Sequence, residues 1–260
     1  MSSEPNAVPY LSLPSSHYQT DPYHGDIAFN RVAEVSQVLR EIPIIANRVV
    51  PDLATLFVRQ GLTPHFNIIL PHRHFSLHSP SEQVVELSSK TGQVVCSVFR
   101  DGLPDKRILD DCDLTMPRNP VLYPTNFVVL GEKLVPYEYS CAEDCELPPI
   151  PCPALSEEFF RSWNHVISSN AVAVPMGLAL KSRNDIPTLQ VCDAEARLDF
   201  TECLPTAIPA NAFPAEWTVH INADDSISIN CLAWCGGPWF CPICQIHVDK
   251  NPCPYCGTRK

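Results

Sequence analysis

The sequence predicts an α+β protein, built from antiparallel sheet with a few helices and a small four-cysteine element at its C-terminus. Three observations predict it. Short runs of alternating apolar residues, such as Val94 to Phe99 and Ser226 to Trp234, are separated by turn-forming residues. The 27 prolines are about twice the average usage and oppose long regular helices. Two Cys-Pro-x-Cys turns close the chain, Cys241-Pro242-Ile243-Cys244 and Cys253-Pro254-Tyr255-Cys256.

Taken in order, residues 1–25 are rich in Ser, Pro, Asn and Tyr, lack apolar periodicity and read as a flexible tail. A first α+β unit covers residues 26–140. Asp26 is placed to cap a helix whose apolar positions Val32, Val35, Val38 and Ile42 recur at helical spacing, with Pro43 ending it. A second helix is expected from Pro51 to Gln60, stopped by Gly61. Phe66 to His78 reads as a strand, followed by hairpins turning at Lys90-Thr91-Gly92 and at Gly131-Glu132. Residues 141–155 are proline-dense and acidic and read as a linker carrying Cys141, Cys145 and Cys152, which are expected to be surface or packing thiols. A second α+β unit, residues 156–230, opens with a Ser156-capped helix bearing Phe159, Phe160, Trp163, Val166 and Ile167 on one face. That stripe reads as core, with a partner-binding face as the alternative. A hairpin around Ala223-Asp224-Asp225 then leads to a C-terminal element, residues 231–260, in which Cys231 and Cys235 look sheet-facing.

The terminal cysteines carry the strongest chemical signal. Each C-x2-C turn presents two thiolates from one tight loop, and two such turns brought together by a hairpin make a tetrahedral site from Cys241, Cys244, Cys253 and Cys256. These knuckles resemble those of zinc ribbons, which read C-P-x-C-G; Gly257 fits the pattern and Gln245 departs from it. The resemblance covers about the last twenty residues and implies a structural Zn2+. Cys235 and His247 stand as substitute ligands.

Bulk properties restrict partners. A formal charge of -11 disfavours nucleic-acid backbones, and the tail offers only Lys250, Arg259 and Lys260 against Asp249. No signal peptide or membrane span is expected, since the longest apolar segment, Ala171 to Leu180, is broken by Pro175. Thirteen cysteines without an export signal read as reduced thiols and metal ligands in a cytoplasmic or nuclear setting.

A second constellation is His72, His74 and His78, which would share one face of an extended chain. A His-x-His pair can chelate a metal and resembles the first metal motif of cupins, although that pattern places a carboxylate where His78 stands; the first acids here are Glu82 and Glu86. Histidines hydrogen-bonded at a sheet edge are the plain alternative. The Leu70-Pro-His-Arg-His-Phe-Ser-Leu77 stretch and the cysteine-rich end together resemble uncharacterised fungal proteins, a likeness that implies no mechanism. No phosphate loop, dinucleotide fingerprint, nucleophile elbow or H-E-x-x-H helix occurs. The leading expectation is therefore a non-catalytic intracellular zinc protein whose partner is another protein. A metal-dependent enzyme using His72 and His74, with His78 or Glu82, is the rival, and a thiol redox protein a third reading.

Overall fold

A computed structural model describes residues 25–88, 94–118, 120–143, 155–181, 186–193, 197–204, 206, 208–209 and 211–236, with the backbone of 239–241 and 246–248. The helices are α1 (Gly25–Arg31), α2 (Val35–Ile44), α3 (Val50–Arg59), α4 (Lys106–Asp111) and α5 (Glu157–Ser169). The strands are β1 (Ala33–Glu34), β2 (Phe66–Ile69), β3 (His72–Arg73), β4 (Glu82–Ser88), β5 (Val94–Arg100), β6 (Leu103–Pro104), β7 (Pro120–Leu130), β8 (Lys133–Glu143), β9 (Gly177–Leu180), β10 (Thr188–Asp193), β11 (Leu198–Cys203), β12 (Ala212–Ile221), β13 (Ile227–Gly236), β14 (Trp239–Cys241) and β15 (Ile246–Val248). The α+β expectation holds at this level, but the sheet is a closed barrel.

Ten strands follow one another round it as β2, β9, β7, β8, β4, β5, β11, β10, β13 and β12, and β12 pairs back onto β2. The β4–β8 and β10–β13 pairings are parallel and the others antiparallel. Strands on both sides of residues 141–155 belong to this one barrel. Closure satisfies backbone groups that an open sheet would leave exposed at its edges.

Three apolar clusters surround and plug it. The largest lies between the helices and one outer wall, where Phe66, Ile68, Phe127, Leu178, Trp217 and Val219 meet Val38, Leu53, Phe57, Phe159, Phe160 and Trp163. The aromatic stripe of α5 is thus core rather than a partner surface, and Ser156 Oγ caps α5 by accepting the Phe159 N–H at 3.1 Å. A second cluster closes one end of the lumen, with Ala28 and Phe29 of α1, Val32 just after it, and Phe75 and Leu77 set against Ile69, Val84, Cys96 and Ala179. Asn30 ties this plug down by exchanging two 3.0 Å hydrogen bonds with the backbone of Leu77. The third cluster packs Ile108, Leu109 and Leu114 around α4 on Val85, Val95 and Phe99.

Two local expectations are corrected. Pro43 does not end the first helix: α2 runs through it, widens into a π-helical turn at Ile45–Val49 and continues as α3. Proline inside a helix costs about 3 kcal/mol, but Val38, Ile45, Val49, Leu53 and Phe57 are all fully buried along this run, and that burial outweighs the cost. Asp26 lies within α1 rather than capping the longer helix, which starts at Val35 where the Glu34 N–H donates to Gln37 Oε1 at 3.0 Å.

The second correction shapes the site. Phe66 to His78 is not one strand. After β2 the Leu70 N–H still reaches Ala215 O at 2.8 Å, but Pro71 has no N–H to continue the ladder, and the chain turns inward beneath the plug. Close approach at this corner needs Gly177, because a Cβ there would stand 2.1 Å from the Phe127 carbonyl oxygen and 2.8 Å from Pro71 Cγ.

Glu82, at the start of β4, locks the plugged end. Its carboxylate is 1% exposed and accepts from Arg100 at 2.9 Å, from both terminal nitrogens of Arg197, and from the His78 N–H at 2.7 Å. Burial alone would push its pKa up; the Arg197 and Arg100 guanidinium groups and the His78 amide outweigh that and hold it at about 2. A carboxylate held low stabilises the fold above its ordinary pKa, and the contribution is lost as pH falls towards the folded value. Glu82→Gln is expected to cost about 3 kcal/mol in urea unfolding near neutral pH, with the gap to wild type closing in acid. A variant as stable as wild type at neutral pH would remove this lock.

Candidate functional site

Side chains alternate across each barrel strand, so one set faces the helices and the other the lumen. The lumenal set encloses a cavity of about 560 Å3 bounded by residues from all ten strands. Glu86 of β4, Glu138 of β8 and Glu216 of β12 converge on it, among Tyr123, Thr188, Gln190 and Thr201. Each carboxylate is braced by a neighbouring side chain. Asn126 Nδ2 donates to Glu138 Oε2, Asn67 Nδ2 to Glu216 Oε1 at 2.6 Å, and Ser140 Oγ to Glu86 Oε1 at 3.2 Å. Lys181 lies at the wall with its Nζ directed to Thr63 O at 3.4 Å.

Neighbouring like charges in an enclosed space disfavour ionisation. Glu138 is pushed up to about 8, first by burial and then by Asp199, Glu86 and Glu216, against the opposing hydrogen bond from Asn126. Glu86 is also raised by its enclosure, although its side chain remains accessible to solvent from the lumen. Near neutral pH the Glu138 carboxyl therefore holds a proton and can donate as well as accept.

At the plugged end a row of sulfur, nitrogen and carboxylate groups crosses the wall. Cys96 on β5 stands opposite Asp199 on β11, and Asp199 stands opposite Cys192 on β10, whose thiol donates to it. Cys235, near the end of β13 and beside Gln190 of β10, is fully buried. From the other side come His72 and His74. β3 pairs in parallel with β1, His72 opposite Ala33, and Arg73 points the other way to Val32 O at 3.1 Å and Glu34 Oε1 at 2.8 Å. Alternation then directs His72 and His74 together, with ring centroids 5.2 Å apart. His74 Nε2 lies 3.0 Å from Cys235 Sγ. Desolvation lowers both imidazoles, His74 to about 3, so both are neutral.

The sequence candidates separate accordingly. His72 and His74 share a face as expected. His78 does not join them: its side chain is exposed and its backbone serves Glu82, which the two arginines occupy. Cys235 meets His74. Cys141 is a free thiol raised to about 11 by burial. Cys244, Cys253, Cys256, Cys145 and Cys152 lie outside the described residues, as do the side chains of Cys241 and His247. Sequence pattern does not group the three lumenal glutamates, because they lie on strands far apart in sequence; the local signal is an acid placed among apolar strand residues, as at Glu138 and Glu216. No known protein family, curated protein or solved structure matches the chain.

Between its ordinary value of 4.5 and the folded value of about 8, Glu138 binds a proton in the folded chain that the unfolded chain has released. Its contribution to stability therefore falls as pH rises through that window. Glu138→Gln keeps the shape and the neutral state, so its melting temperature is expected to exceed wild type by a few degrees above about pH 8 and to match it near pH 4. Parallel melting curves at all pH values would contradict the placement of Glu138 in the lumen.

Proposed function

We propose that the protein is a ligand-binding barrel whose lumen takes a small, positively charged, hydrogen-bond-donating molecule, an aliphatic amine being the simplest. The observation that carries this reading is the convergence of Glu86, Glu138 and Glu216 on one cavity of about 560 Å3. That volume falls within the range of small-molecule sites. An ammonium group among the three carboxylates offsets their mutual repulsion and draws Glu138 into its ionised form, so binding releases a proton below the folded pKa. Titration calorimetry with spermidine is expected to give binding at least tenfold tighter at about pH 9 than at about pH 6, with the dependence abolished in Glu138→Gln. Absence of binding, or equal binding of a dicarboxylate, would overturn it.

A second reading has its own support. The backbone of β14 pairs antiparallel with β15, Cys241 opposite Ile246, so residues 242–245 connect the two strands and carry Cys244. A zinc knuckle is likewise carried on a short connection between two paired strands. The tail is read as a structural Zn2+ site of Cys241, Cys244, Cys253 and Cys256 that presents a surface to a protein partner. Cys253→Ser is expected to lower bound zinc by about one equivalent per chain; unchanged zinc content would dismiss the site.

A further inference from the structure

We propose that a first-row transition ion, with zinc the best match, binds at the plugged end of the barrel between His72 Nε2, His74 and Cys235 Sγ, with Asp199 and Cys192 alongside. The site is distinct from the Glu86, Glu138 and Glu216 group and from the terminal cysteines.

Three features carry it. The first is convergence: one ligand atom each from His72, His74 and Cys235 lie within 4.8 Å of one another, and so do one each from His74, Cys192 and Asp199. In a tetrahedral zinc site with nitrogen at about 2.0 Å and sulfur at about 2.3 Å, ligand atoms stand roughly 3.3 to 3.8 Å apart. His74 Nε2 and Cys235 Sγ, 3.0 Å apart, already stand close to that spacing.

The second feature is a pair of buried lone pairs lacking donors. Among the described residues, neither His72 Nε2 nor Asp199 Oδ1 has a hydrogen-bond partner. Buried acceptors are rarely left unsatisfied, and a cation satisfies both kinds. The third feature is preparation of the imidazole. His72 Nδ1 lies 2.8 Å from the Leu70 carbonyl oxygen, so Nδ1 carries the proton and Nε2 presents its lone pair. Ligating histidines are commonly oriented in this way by a backbone carbonyl. The ring is fixed further by its edge contact with Phe213, 5.2 Å between centroids.

The donor set also names the ion class. Two imidazoles and a thiolate suit zinc, cobalt(II) or copper rather than magnesium or calcium, which favour oxygen. Binding replaces the Cys235 S–H bond by a sulfur–metal bond and delivers the proton to solvent. Three protein ligands leave one position for Asp199, water or a lumenal molecule, since His72 also lines the cavity.

Full-length protein with 15N-labelled histidine tests this by zinc titration. The expected result is a shift of the His72 and His74 ring-nitrogen resonances at about one equivalent beyond what the tail takes, with His78 unmoved. Cobalt(II) loading supplies the second arm. His74→Gln and Cys235→Ser should each lose one bound ion relative to wild type, and Cys235→Ser should lose the single-thiolate charge-transfer band while the four-thiolate band remains. Shifts confined to exposed His165, or unchanged metal content in both variants, would overturn the site. Should a variant fail to fold, the titration of the wild-type chain still decides.

Discussion

The pairing of β5 with β11 is the constraint on which the rest depends. Without it the strands would form an open sheet, with unpaired backbone groups along both edges and no lumen. Among the described residues three pairs make the seam: Cys96 with Asp199, Val95 with Phe200, and Val94 with Thr201. That register sets side chains as well as backbone. It brings Asp199 into the lumen beside Cys96 and Cys192, while Phe200 and Val95 turn outward to the cluster under α4. A one-residue slip would exchange the two sets and bury the carboxylate among apolar groups.

Closing the barrel leaves its ends to be dealt with. One is filled by α1 and by the chain that turns inward after Pro71, so a single break in a strand both plugs the lumen and carries His72 and His74 into it. The tight corner at Gly177 and the reciprocal bonds of Asn30 hold the turn in place. Packing and chemistry are thus supplied by the same segment.

The glutamates show how one residue type takes opposite electrostatic roles in one fold. Glu82, surrounded by two guanidinium groups and an amide N–H, stays ionised down to about pH 2. Glu138, facing other carboxylates, holds its proton up to about pH 8. Both are enclosed; the difference lies in what the neighbouring strands present. The first pairing locks the end of the barrel, and the second gathers carboxyl groups in the lumen, which is the property a cationic ligand would exploit.

Local features were legible in the sequence because their causes are local. Ser156 caps α5 and the apolar spacing of Phe159, Phe160 and Trp163 selects its buried face. The hairpin between β12 and β13 turns where Asp224 accepts from Ser226 and Asp225 takes a positive φ of 61°, and the His-Arg-His alternation aims His72 and His74 together. What no local pattern could state is which distant strands become neighbours. His74 and Cys235 are 161 residues apart, and Asn67 and Glu216 are 149 apart. Pro43, which should stop a helix, is carried through because burial of the surrounding face outweighs its cost. Periodicity records how a segment divides inside from outside; only the closed register of ten strands decided what the inside contains.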